Sequence, residues 1–197
     1  MKTFKFVLLA LMSIPFATHA AKSTGPLKVD VSGSKLKWVG TKLAGSHNGA
    51  VAIKEGSVSF DGDVPKEGSF VVDLATITNN DLTDAGYNKK LVDHLKSDDF
   101  FAVAKFPTAV FKLTKADKRG TEVVLTGDLT IKGITKPISF PVVISKAGNV
   151  YSAKAKFKIN RLDWDIKYNS GKFFDPKKLG DKMINDDIEF ELDLKTL

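Results

Sequence analysis

Between Gly127 and Ile144, in "GDLTIKGITKPISFPVVI", apolar and polar residues alternate. Leu129 and Ile131 fall on one side, Thr130 and Lys132 on the other; after a turn, Ile138, Phe140, Val142 and Ile144 continue the apolar side. A period of two is the mark of a half-buried strand, not of a helix. The stretch covers parts of two strands, and the same pattern predicts six more, eight in all. In order they are "KLKWVGT" (Leu36 and Trp38 inward), "GAVAIKEGSVSFD", "GSFVVDLAT" (Phe70, Val72, Leu74), "TAVFKLTK" (Phe111, Leu113), "TEVVLTGDLTIK" (Val123, Leu125), "KPISFPVVIS", "VYSAKAKFKIN" (Tyr151, Phe157) and "DDIEFELDLK" (Ile188, Phe190).

Breaks in the pattern predict the connections. "HNG" at 47–49 reads as the turn between the first two strands, and Gly120, Gly133 and Gly148 as the later hairpin turns. In the second strand the inward parity changes from odd (Val51, Ile53) to even (Val58, Phe60), which predicts one extra residue, a bulge at Gly56. A helix is expected over 82–96, capped by Asp81, with Tyr87, Leu91 and Leu95 on one stripe.

One short helix between the early and late strands cannot cover so many apolar faces, so the sheet must cover itself. The expected fold is all-β, an eight-stranded antiparallel barrel; a two-sheet sandwich buries the same faces and is the alternative. The outward Lys154, Lys156 and Lys158 and the outward Glu189, Glu191 and Asp193 exclude a barrel facing lipid. Eight staves either fill with their own side chains or hold one small ligand.

Residues 1–20 change the picture of where the chain works. Lys2 and Lys5, an apolar run from Phe6 to Leu11 extending to Phe16, and Thr18-His19-Ala20 predict a cleaved secretory signal, leaving Ala21–Leu197 as one exported domain. The run is too short to span a bilayer. The chain has no cysteine, which excludes disulfides, thiol catalysis and thiolate metal sites, and export without cysteine fits a bacterial periplasm. Removing Lys2 and Lys5 takes the formal net charge from +7 to +5. That excess reads as a solvated lysine surface or as attraction to an anionic membrane surface or phosphate-bearing ligand, whereas export and scattered lysines argue against nucleic acid.

Candidate chemistry is sparse. His47 and His94 are the histidines of the expected mature chain and lack a partner set for a metal. His47 reads as turn chemistry; His94, beside the Leu91–Leu95 stripe, reads as a bonded structural histidine or as a head-group donor. Arg161 ends an inward-patterned strand, placed to clamp a phosphate or a carbonyl, or to pair with an acid such as Asp163. Phe100-Phe101 and Phe173-Phe174 fall in connections, as plugs or as a portal, and 170–186 reads as a lid. No nucleophile elbow, zinc-protease helix or phosphate loop is present, so a non-enzymatic role without a cofactor is expected.

"LVDHLKSDDFFAVAKFPTAVF" at 91–111, followed by "GDLTIKGITKPISF" and "INRLDWDIKY", resembles the YceI family of exported, lipocalin-like polyisoprenoid-binding proteins. "KWVGTKLAGSHNGAVAIKEG" is similar to the branch of that family with a Trp-Gly start and a His-x-Gly turn. The Gly-x-Trp of true lipocalins is absent, since Lys35-Leu36-Lys37-Trp38 has no glycine two before the tryptophan. The resemblance implies a barrel whose cavity accepts an isoprenoid lipid, such as a polyprenyl phosphate or quinone. With strand parity it nominates Trp38, Phe60, Phe70, Leu125, Leu129, Phe140, Val142 and Phe157 for the wall, and Arg161 or His94 for the head group. An enzyme acting on that head group and a filled barrel that binds a protein are the competing readings. Ligand identity and oligomeric state, a homodimer included, stay open.

Overall fold

Period-two alternation becomes nine strands in the structure, a computed structural model that describes residues 24–197. The expected signal and its cut lie outside the described residues. In chain order the elements are β1 (Thr24–Lys28), β2 (Lys35–Lys42), β3 (Gly45–Asp61), β4 (Val64–Asp73), α1 (Ala85–Lys96), β5 (Thr108–Arg119), β6 (Glu122–Ile131), β7 (Ile134–Ala147), β8 (Val150–Asn160), α2 (Pro176–Leu179) and β9 (Ile184–Lys195).

All strand pairs are antiparallel, and β3 closes the sheet. Its first part, Gly45–Val51, pairs with β2, and Ala52–Asp61 pairs with β4. The result is the expected eight-stranded antiparallel barrel with one added strand. β1 pairs with Ser57–Phe60 of β3, beyond the reach of β2, while Val29 bridges Thr196 and the Leu197 N–H donates to the Lys28 carbonyl at 2.9 Å. Thus β1 completes the stave that β2 begins, between β3 and β9. "TGPLK" has no alternation to reveal it.

Three local expectations are corrected. The β2–β3 turn is Leu43-Ala44; His47, Asn48 and Gly49 lie within β3, opposite Gly40, Val39 and Trp38. Gly49 serves close approach instead, because a β-carbon there would sit 1.8 Å from the Thr78 carbonyl oxygen and 2.8 Å from the Trp38 ring. The bulge falls at Lys54, where the register slips between Ile53 and Glu55, not at Gly56. The helix cap is Asp84, whose Oδ1 accepts from the Tyr87 N–H at 2.8 Å, and Tyr87 itself points to solvent. Asp81 is held elsewhere, as described below.

The barrel ends are unlike. At one end tight turns at Gly62, Gly120 and Gly148, each with φ near +60°, join β3–β4, β5–β6 and β7–β8. At the other end lie the two long connections, Leu74–Pro107 carrying α1 and Arg161–Met183 carrying α2. Outside, Lys154, Lys156 and Lys158 on β8 face Asp193, Glu191 and Glu189 on β9 as register partners, with charged atoms 3.5, 3.9 and 2.8 Å apart. Inside, an aromatic belt runs Phe70–Phe111–Phe140–Phe157–Phe190, with centroid separations of 6.3, 5.7, 4.3 and 5.5 Å.

Candidate functional site

Because nearly all inward residues of the staves are apolar, the space they enclose is largely apolar too. Two cavities lie end to end inside the barrel. One, of about 190 Å³, occupies the half beneath α1; the other, of about 130 Å³, occupies the half toward Tyr151 and the tight turns. Leu36, Val72, Leu129 and Phe157 line both and so form the partition. These four come from β2, β4, β6 and β8, one from each alternate stave.

All eight nominated wall residues face this interior. Trp38 lines the larger cavity; Phe60, Phe70, Leu125, Phe140 and Val142 line the smaller; Leu129 and Phe157 line both. The Trp38 Nε1–H has no hydrogen-bond partner among the described residues. Leu91 and Leu95 of α1 and the Phe100-Phe101 pair roof the larger cavity. Phe173 and Phe174 do not join them; both are exposed at the same end of the barrel.

Apart from Ser152 and Thr196 in the smaller cavity, the polar lining gathers in one place. Thr41 and Lys42 at the end of β2, His47 near the start of β3, Arg161, and Asn185 at the start of β9 rim the larger cavity, and Lys42 is solvent-exposed. His47 is the residue that its turn-like context concealed. Its Nδ1 is 2.7 Å from Asp81 Oδ2, while Asp81 Oδ1 accepts from the Asn48 N–H at 2.8 Å and Asn79 Nδ2 at 2.6 Å. Partial burial works to raise the Asp81 carboxyl, but the bonds from Asn48, His47 and Asn79 outweigh it and hold the group below its ordinary value. An ionised carboxylate only accepts, so the His47 proton toward it sits on Nδ1 and the other ring nitrogen is left without a protein partner among the described residues.

The nominated head-group residues fare differently. Arg161 lines the cavity but is 1% exposed and heavily engaged. Its Nε donates to the Asn185 carbonyl (3.1 Å), Nη1 to the Ile166 carbonyl (2.7 Å), and Nη2 to the Ile184 carbonyl (3.1 Å) and Asp186 Oδ1 (3.2 Å). Its ion-pair partner is therefore Asp186, not Asp163, and the guanidinium ties the end of β8 to the start of β9. Burial lowers its pKa and Asp186 opposes that shift. His94 lines neither cavity. Its Nε2 is 2.9 Å from Asp99 Oδ2, and its ring packs edge-on against Phe100 at 5.0 Å and Tyr168 at 4.6 Å. This cluster latches α1 to the Arg161–Met183 connection. No group of three His, Asp or Glu side chains suited to a metal occurs among the described residues.

A closed antiparallel barrel with a divided apolar interior and one polar rim is the geometry to compare with known proteins. The model of the YceI-like domain matches residues 27–196. The chain belongs to the YceI family. Among curated YceI relatives, Protein YceI of Escherichia coli O157:H7 is 34% identical over 123 residues, covering 59% of this chain and 62% of that protein. A UPF0312 protein of Vibrio cholerae serotype O1 is 34% identical over 133 residues, covering 66% and 67%. This chain thus spans about three fifths of the first of these. Solved structures share the fold. BcnA of Burkholderia cenocepacia superposes with a TM-score of 0.68 at 22% identity over 86% of this chain and 99% of that one. A polyisoprenoid-binding domain of Saccharophagus degradans, implicated in plant cell wall breakdown, gives 0.61 at 13% identity over 86% and 96%. No helix among the described residues is long and apolar enough to cross a membrane.

Proposed function

We propose that this chain is an exported, periplasmic carrier or buffer for an isoprenoid lipid, a polyprenyl phosphate or an isoprenoid quinone, and not an enzyme. The observation that carries the reading is the pair of apolar cavities in line behind one polar rim. The tail lies against Trp38, Leu129 and Phe157 and reaches past the partition toward Phe60, Phe70, Leu125, Phe140 and Val142. The head group stays at the rim, where Lys42 offers a donor and His47 a ring nitrogen free to accept; Arg161, its hydrogens largely committed to protein oxygens, shapes this end. His94 acts through the latch and touches no ligand.

Magnitudes agree with a lipid tail that fills the barrel in steps. A dry apolar cavity of about 150 Å³ holds a benzene, so each chamber takes roughly one isoprene unit as it stands. A longer tail must displace the partition or protrude from the rim. Each methylene-sized group buried contributes about 0.8 kcal/mol, so a few units reach micromolar affinity, near −8 kcal/mol, after the costs of association. One structural neighbour, the polyisoprenoid-binding domain of Saccharophagus degradans, supports the same ligand class.

Native mass spectrometry of protein taken from the exported fraction without detergent, followed by organic extraction, tests the reading. A stoichiometric prenyl lipid or quinone is expected. A clean unliganded mass, in protein that also takes up no added farnesol, overturns it in favour of a filled barrel that binds another protein.

A further inference from the structure

We propose that the rim of the larger cavity is a docking surface for an anionic lipid bilayer, with Leu43, Phe173 and Phe174 as the inserting side chains. The inference deepens the carrier reading and rests on it for its purpose, although not for its test.

Three observations converge on one end of the barrel. Leu43, Phe173 and Phe174 are large apolar side chains that are 66%, 52% and 49% exposed. They belong to separate parts of the chain that the fold brings together. The Leu43 N–H donates to the Met183 carbonyl at 3.3 Å, and Met183 lies against Gly171, where an added β-carbon would meet its sulfur at 2.8 Å. Phe173 and Phe174 follow at once, their N–H groups bonded to the carbonyl of fully buried Ser170. The patch is held in place by backbone bonds and is not a frayed loop.

It also borders the opening. Lys42 and Ile184, the neighbours of Leu43 and Met183, both line the larger cavity. The tight-turn end has no exposed aromatic residue among the described residues.

Charge selects the partner. From Lys172 to Lys182 there are four lysines (172, 177, 178 and 182) against Asp175 and Asp181, a formal charge of +2. With Lys42 these lysines are all exposed, and Lys42, Lys177, Lys178 and Lys182 make no ion pair among the described residues. Apolar side chains flanked by an excess of exposed lysines match an interface of acyl chains beneath anionic head groups. An acidic protein surface satisfies the lysines but gives the phenyl rings nothing so deep to enter. Docked in this way, the cavity faces the phase in which a prenyl lipid resides, so the tail exchanges without crossing water.

Flotation of the unliganded protein with vesicles of phosphatidylcholine, alone or mixed with phosphatidylglycerol, tests this surface. Binding is expected only with phosphatidylglycerol and is expected to weaken with salt. Each lysine near an anionic leaflet strengthens partitioning about fivefold, so Lys177→Glu/Lys178→Glu should lose roughly tenfold or more. Phe173→Ser/Phe174→Ser should lose a comparable factor. Both variants should keep the wild-type melting curve and wild-type uptake of farnesol from solution, since none of the four residues lines a cavity. Absence of wild-type binding to either vesicle, or equal binding by wild type and both variants, overturns the proposal. Self-association that Phe173→Ser/Phe174→Ser abolishes also overturns it and assigns the patch to a second copy of the chain. Vesicle binding without farnesol uptake leaves the docking surface standing and removes the carrier reading; farnesol uptake without vesicle binding does the reverse.

Discussion

The Phe111 ring lies across Gly127 on the neighbouring strand, where a β-carbon would come within 2.4 Å of its Cζ. Phe111 on β5 reaches Phe140 on β7 by passing over β6 at the point where β6 has no side chain. Glycine there is a packing requirement of the aromatic belt.

Gly127→Ala should therefore destabilise the barrel by about 1–3 kcal/mol, the usual range for overpacking, because the new methyl meets both the ring and the Lys112 carbonyl oxygen, 2.5 Å away. Urea denaturation measures the loss. Adding Phe111→Leu should recover part of it; if the double variant is no better than the sum of the two single ones, the ring is not what Gly127 accommodates.

Phe157 stands in the partition and stacks on Phe140 and Phe190. Phe157→Ala should cost about 3–5 kcal/mol in stability and join the two chambers. Calorimetric titration with geraniol, farnesol and geranylgeraniol should show the optimum moving to longer tails. An unchanged order of affinities places the limit on chain length elsewhere.

Removing the buried guanidinium leaves the Ile166, Ile184 and Asn185 carbonyls and the Asp186 carboxylate without their donor. Arg161→Met should cost about 3–5 kcal/mol. A melting temperature within error of wild type would remove Arg161 from its role as the tie between β8 and β9.

The Asp81 carboxyl titrates below its ordinary value in the fold. A depressed carboxyl stabilises the fold fully above its unfolded pKa, about 3.9, and loses that contribution as pH falls through the folded value. Asp81→Asn should be less stable than wild type at neutral pH, and the gap should close between about pH 5 and the acid limit. Melting temperatures of the two proteins across that window decide the matter; a constant gap means that the side chain acts through its shape and not its charge.

Signals with a short period along the chain were legible. Parity alone predicted the staves and the side of the sheet on which Leu125, Phe140 and Phe157 lie, because alternation maps directly onto the two faces of a strand. The lysines and acids of β8 and β9 read as an outer face, and they form its cross-strand pairs. Partners distant in sequence were not legible. Asp81 looks like a helix cap by its position before an amphipathic run, yet its carboxylate is claimed by His47, 34 residues away. Arg161 has Asp163 beside it in sequence and bonds Asp186 instead. Gly49 follows an asparagine, as a turn glycine does, and is needed because Thr78 and Trp38 press on it from another part of the chain. With Gly49 inside β3, the β2–β3 turn lies at Leu43-Ala44 and His47 reaches the rim.

The hydrogen bond from Leu197 to Lys28 fixes Leu197 at the end of the barrel formed by tight turns, away from the rim. A fluorophore or a surface linker joined at Leu197 therefore departs on the side opposite the opening. Protein immobilised through that residue presents its cavity outward, oriented for contact with whatever surface is brought to it.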